Sequence, residues 1–86
     1  MQMGLTTWVT YIMMELVYEK ALEWYKKAAD RGFPSAQDNM GILYHHGLGV
    51  RQDFQKALEW YKLAAEQGDA DGLNNMGNLY HDGTGL

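Results

Sequence analysis

Residues 20–49 and 56–85 lie on one another at an offset of 36, and 18 of the 30 pairs are then identical. The shared positions include Ala21/Ala57, Leu22/Leu58, Trp24/Trp60, Tyr25/Tyr61, Ala28/Ala64, Ala29/Ala65 and Gly32/Gly68. They continue through Asn39/Asn75, Met40/Met76, Gly41/Gly77, Leu43/Leu79, Tyr44/Tyr80 and His45/His81. A period of this length marks a stacked array, in which each unit buries its apolar face on its neighbours. That requirement restricts the fold more than any bulk property does.

Each period reads as a pair of helices. The first runs from about Asp53 to Gln67. The Asp53 carboxylate suits an N-cap, where it accepts from the open amides of the first turn. Ala57, Tyr61 and Ala64 follow at i, i+4, i+7, with Leu58 and Ala65 beside them, so one face is apolar. Gly68 stands where a helix stop takes a left-handed residue. The second helix begins at once, with Asp69 as a cap in one copy and Pro34 in the first turn of the other. Its apolar stripe in the first copy is Ala36, Met40, Leu43, Tyr44 and Gly47. Gly41 lies inside that helix, where glycine costs roughly 1 kcal/mol against alanine. Its missing Cβ therefore points to a neighbouring helix that comes close. The recurring aromatics Trp24, Tyr25, Tyr44, Trp60, Tyr61 and Tyr80 read as packing between helices, with tyrosine hydroxyls available to cross-link them.

The stretch AQDNMGILYHHGLGVRQDFQKALEWYKLAAEQG, residues 36–68, resembles the Sel-one-like repeat (SLR) of the tetratricopeptide-like superfamily. Ala36, Gly41, Tyr44, Gly47, Gly49, Val50 and Asp53 match the family pattern, as do Lys56, Ala57, Trp60, Tyr61, Ala64, Ala65 and Gly68. Met40 replaces its usual leucine and Leu63 its usual lysine. The resemblance covers about residues 19–86. It implies an all-α fold, an α/α solenoid of antiparallel helix pairs whose curved surface binds proteins. Here that means about two repeats of 36 residues, the last one truncated. In related proteins such arrays act as adaptors in signalling and protein quality control.

Composition narrows what such an array does. Net charge is −4 and Lys plus Arg number seven, which argues against a nucleic-acid or anionic-membrane surface. There is no cysteine, which excludes disulfides, thiolate metal sites and cysteine nucleophiles and fits a reducing cytosol. Residues 1–14 are uncharged but show no basic leader and no small-x-small cleavage site. The run is also too short to span a bilayer, so it reads as part of the folded protein. Ser35, the only serine, sits near a helix start and not in a nucleophile elbow, and GLG lacks the rest of a phosphate loop. His45, His46 and His81 are the only histidines, with Asp82 beside the last. Neighbouring His45 and His46 point about 100° apart on a helix. A metal pair would have to come from the equivalent His45 and His81, and these are read instead as solvated histidines at helix ends. The carboxylates read as scattered and surface-facing. No catalytic residue, metal ligand or cofactor is assigned, and a small hydrolase using His45 or His81 with nearby carboxylates stands as the alternative.

Binding is better placed. Positions 38, 42 and 45 follow i, i+4, i+7 and oppose the apolar stripe of their helix. Asp38, Ile42 and His45, with their equivalents Asn74, Asn78 and His81, are the expected contact row for a protein or peptide partner. The resemblance puts this helix on the concave face. Ile42 is the apolar residue in that polar row.

The N-terminal unit has lost its punctuation. Mapped back by 36, Gly47, Gly49 and Asp53 become Tyr11, Met13 and Val17. No Gly or Pro occurs from Leu5 to Arg31, and Leu5, Trp8, Val9, Ile12 and Leu16 form a helical stripe. The sequence predicts one long helix over about residues 5–31, with 1–18 as an apolar segment leading into two repeats over 19–86. The rival is an extended or irregular arm, since Thr6, Thr7, Val9 and Thr10 are β-branched. A straight helix cannot fold back on its own second helix. The chain also stops at HDGTGL, where another first helix would follow, and two units fall below the usual three. Leu5, Trp8, Val9, Ile12, Met13 and Leu16 are therefore the expected interface of a homo-oligomer. The simplest form is a two-fold dimer in which long helices pack or exchange. A purely structural oligomerisation unit, with no partner of its own, is a third reading.

Overall fold

A computed structural model describes residues 3–83, with side chains from Trp8 onward. Its helices are α1 (Met3–Asp30), α2 (Pro34–His46), α3 (Phe54–Glu66) and α4 (Ala70–Asp82), and no strand occurs among the described residues. They pack in chain order, α1 on α2, α2 on α3 and α3 on α4, and α2 also meets α4. The architecture is an α/α solenoid with a long first helix.

The tight turn inside each helix pair is made twice by the same bonds. The Phe33 N–H donates to the Ala28 carbonyl at 3.3 Å, and the Asp69 N–H to the Ala64 carbonyl at 3.2 Å. Gly32 (φ 92°) and Gly68 (φ 85°) supply the left-handed residue before each. Pro34 fills the first turn of α2. The Asp53 carboxylate accepts from the Lys56 N–H at 3.1 Å to start α3, and that of Asp69 accepts from the Asp71 N–H at 3.1 Å to start α4.

The core has two clusters. One joins Ala29, Ala36 and Met40 with Leu22, Tyr25 and Trp60. The other joins Ala57, Tyr61 and Leu79 with Ile42, Leu58 and Met76, and Tyr44 packs against both. The expected face of α3 is buried throughout, at Ala57, Tyr61 and Ala64. In α2, Ala36, Met40 and Leu43 are buried, while Tyr44 and Gly47 are half-buried. Gly41 has the packing reason that its place in a helix called for: a Cβ there would collide with the Tyr61 ring. Burying a large side chain such as Tyr61, Met40 or Leu79 is worth about 1.5–3 kcal/mol each, so these contacts decide the stacking.

The N-terminal segment is helix, not an extended arm. With no Gly, Pro or capping side chain across residues 11–17, nothing stops the helix, and each β-branched residue costs less than about 0.7 kcal/mol. At 28 residues α1 is about 42 Å long against about 20 Å for the 13-residue α2, its only helical neighbour among the described residues. About half of it therefore projects. Every side chain from Trp8 to Val17 is exposed. Tyr18 is the first to be covered, where the loop between α2 and α3 crosses it so closely that a Cβ on Gly49 would lie 2.7 Å from the Tyr18 Cβ.

Two recurring aromatics depart from the packing role. Trp24 is exposed where Trp60 is half-buried, and Tyr80 is exposed where Tyr44 is half-buried. Trp60 lies on the core of the preceding helix pair. The pair on which Trp24 would lie is replaced by the straight run of α1, and the Lys27 ammonium sits 4.9 Å from the Trp24 ring. Among the described residues no helix follows α4 to cover Tyr80. No helix among the described residues is long and apolar enough to cross a membrane.

Candidate functional site

Where α2 and α4 meet, they border an open pocket of about 320 Å³. Ile42, His45 and His46 line it from α2, Tyr61 from α3, and Asn75, Asn78, His81 and Asp82 from α4. Four members of the expected contact row, Ile42, His45, Asn78 and His81, thus come together in one place. Asn74 is exposed one helical turn along α4 from Asn78.

Two residues are not where helical spacing put them. Asp38 is 5% and His45 is 4% exposed, so neither faces solvent opposite the core. The cause is the number of helices around α2, since α1, α3 and α4 all pack on it. Its buried residues, Gln37, Asp38 and His45 among them, therefore surround the helix instead of forming a stripe. The equivalents Asn74 and His81 remain exposed on α4, which borders fewer helices. His45 is thus not a solvated histidine. Its ring stacks on His46 with centroids 4.3 Å apart and planes 6° apart, so the two do not fan out as an ideal helix would have them.

His45 is the centre of a polar chain that joins three helices. Its Nε2 donates to Asp82 Oδ2 at 3.0 Å. In that tautomer its Nδ1 accepts from the Tyr61 hydroxyl at 3.2 Å. Burial, reinforced by the charge of Asp38, pushes the Tyr61 hydroxyl up to about 12, so it stays protonated and donates. His81 Nδ1 approaches Asp82 Oδ1 at 3.4 Å. Hydrogen bonds from His81 and then His45 hold the Asp82 carboxyl below its usual range. The Gln52 amide donates to the His45 carbonyl at 2.8 Å and anchors the loop after α2. Among the described residues, Tyr61, whose hydroxyl meets His45, is 1% exposed, and Ser35 lies at the far end of α2.

Asp38 belongs to a second polar group, at the start of α4. One oxygen each from Asp38, Asp69 and Asp71 lies within 4.8 Å of the others. Burial first, then the neighbouring Asp69, raises the Asp38 carboxyl to about 7. The carboxylates are therefore not all scattered over the surface.

The expected oligomer face is exposed at Trp8, Val9, Ile12, Met13 and Leu16. The side chain of Leu5 lies outside the described residues. Tyr11, Met14 and Val17 are exposed as well, so the apolar surface runs around the helix and not along one stripe. Thr10, Met13, Met14, Val17 and Tyr18 border a shallow hollow of about 280 Å³ on it.

Sequence spacing missed Asp82, Asn75, Tyr61 and His46 as pocket residues. The adjacency of Asp82 to His81 was the available sign for the first. Tyr61 was visible only as a core residue, because its ring faces the core and its hydroxyl the pocket.

The Sel1 repeat family profile matches residues 12–33, 34–69 and 70–86. Its boundaries fall at the starts of α2 and α4, and its first match reaches back to Ile12, inside the apolar segment. The fold is similar to the crystal structure of a protective antigen present in uropathogenic Escherichia coli strains displaying an SLR fold. There the identity is 48% and the TM-score 0.72, over 77% of this chain and 14% of that one. It is also similar to a Sel1 repeat protein from Oxalobacter formigenes, at 47% identity and a TM-score of 0.71, over 79% of this chain and 28% of that one. The chain thus spans well under a third of the length of either protein. No curated protein matches it. Profile matches from Ile12 to Leu86, together with two structures of the same helical stacking at nearly half identity, place this chain in the Sel1 repeat family, whose members are typically protein-interaction scaffolds.

Proposed function

We propose that the chain is a protein-interaction module that holds an extended segment of a partner across α2 and α4 and self-associates through the N-terminal half of α1. The pocket between α2 and α4 carries the first part, because it sets aliphatic Ile42 beside the amide of Asn78 and the imidazole of His81. That mixture suits a peptide. Amides pair with the backbone N–H and C=O that every peptide offers, and an aliphatic wall receives one side chain. Asn74 extends the amide row by one turn. His45 serves this surface from beneath by fixing Asp82 at the pocket wall. The second part rests on the exposed apolar side chains of Trp8, Val9, Ile12, Met13 and Leu16, which a second copy would cover with the same face about a two-fold axis.

Peptides selected from a random-sequence display library against the intact chain test the groove. Their affinity is then measured for Ile42→Asp and Asn78→Ala. Each substitution is expected to weaken binding about tenfold or more, or about 1.4 kcal/mol. Peptides that bind both variants as tightly as the parent chain would overturn the reading.

A further inference from the structure

Three acids from two helices converge at the N-terminus of α4. The helix itself accounts for two of them, since Asp69 caps it and Asp71 lies in its first turn, where negative charge complements the helix dipole. It does not account for Asp38, which comes from the middle of α2. Asp38 is 5% exposed, and its Oδ1 has no hydrogen-bond partner. Burying a carboxylate oxygen that nothing satisfies is strongly unfavourable. The neighbours worsen this. Asp69 and Asp71 both press the Asp38 carboxyl towards its neutral form, and only the Asn75 amide pulls the other way.

The repeat does not demand this arrangement. One period earlier, Phe33 and Ser35 stand in the places of Asp69 and Asp71, and one period later Asn74 stands in the place of Asp38. The shared repeat pattern therefore does not itself call for three acids at these positions.

We propose that Asp38, Asp69 and Asp71 form a binding site for a hard divalent cation, calcium best of all, that ties the N-terminus of α4 to α2. Calcium takes oxygen ligands at about 2.3–2.6 Å, so two oxygens on one ion lie up to about 5 Å apart. The three carboxylates, with one oxygen of each within 4.8 Å of the others, lie close to that reach, and small side-chain rotations bring them onto one ion. Magnesium, with ligands at about 2.0–2.1 Å, needs them within about 4.2 Å and in a near-ideal octahedron. Asp38 Oδ1 supplies the buried ligand. Asp69 keeps its Oδ1 on the Asp71 N–H and offers Oδ2. Asp71 closes the site from the exposed side, where water completes the shell.

The test uses the intact chain, freed of metal with EDTA and dialysed into chelator-free buffer at neutral pH. It is titrated with calcium chloride, magnesium chloride or sodium chloride at matched ionic strength, by calorimetry and by thermal melting. One calcium per chain is expected, with a Kd in the range of about 10⁻⁴–10⁻³ M. At ten times that Kd the melting temperature rises by roughly 5–10 °C, and magnesium acts more weakly. Asp38→Asn keeps the shape and removes the buried charge, so the calcium response disappears while the metal-free protein melts no lower than its parent. Asp71→Asn, on the surface and outside the Asp69 cap, lowers calcium affinity about tenfold or more and decides alone if the first variant does not fold. The absence of a saturable calcium signal in the parent chain overturns the proposal and leaves the acids sharing a proton. An equal rise in melting temperature for parent and Asp71→Asn overturns it too.

Discussion

α1 and α3 contain almost the same ten residues, KALEWYKKAA at 20–29 and KALEWYKLAA at 56–65, yet their burial differs at Ala21/Ala57, Trp24/Trp60, Tyr25/Tyr61, Ala28/Ala64 and Ala29/Ala65, in all but the last towards greater burial in α3. In α3, Ala57 and Tyr61 are 0% and 1% exposed. Their equivalents Ala21 and Tyr25 are only half-buried, and Trp24 is open to solvent where Trp60 is half-covered. The residues are the same and the neighbours are not. Among the described residues α3 lies between α2 and α4, whereas α1 has α2 alone. Burial here is conferred by what stacks alongside, and the repeat text encodes a surface on two sides whether or not both are used.

The largest test of this contrast is a pair of tyrosine truncations. Tyr61→Ala is expected to cost about 3–5 kcal/mol in urea unfolding, and Tyr25→Ala less than half of that. Equal losses would break the neighbour explanation. Next comes a pair with opposite signs. Gly41→Ala drives a methyl into the Tyr61 ring and is expected to destabilise by roughly 1–3 kcal/mol. At the equivalent Gly77 a Cβ meets nothing within 4 Å, so Gly77→Ala is expected to stabilise by up to about 1 kcal/mol through helix propensity. Two changes of the same sign would mean that the helix tolerates glycine for a reason other than the approach of α3.

The smallest effect is electrostatic and belongs to the second unit, because His46 stands in the first where Asp82 stands in the second. His81 and His45 hold the folded Asp82 carboxyl below its usual 3.8. A carboxyl depressed in this way stabilises the fold above its unfolded pKa and loses that contribution as pH falls through the folded value. Asp82→Asn should therefore flatten the fall in stability below about pH 4 and change little near neutrality, as surface pairs do. An unchanged acid limb, followed by circular dichroism, would detach Asp82 from the histidines.

Local signals were legible in the sequence. The turns at Gly32 and Gly68, the caps at Asp53 and Asp69 and the buried face of α3 each depend on residues within one or two helical turns. The fusion of α1 was legible as lost punctuation at Tyr11, Met13 and Val17. The pocket was half legible, because Ile42, Asn78 and His81 follow from spacing. Asp38 and His45 did not follow, since spacing tells which residues share a face and not how many faces of a helix are covered. The acidic trio was invisible for a related reason. It joins position 38 to positions 69 and 71, and only the contact of α2 with α4 brings them together.

The self-association proposed above would give the projecting half of α1 its neighbour in a second copy. Sedimentation equilibrium of the intact chain at micromolar concentration, beside the double substitution Ile12→Asp and Leu16→Asp, tests this most directly. Neighbour-conferred burial predicts a dimer for the parent chain and a folded, helical monomer for the variant. A parent chain that stays monomeric, or a dimer that the variant retains, would contradict it.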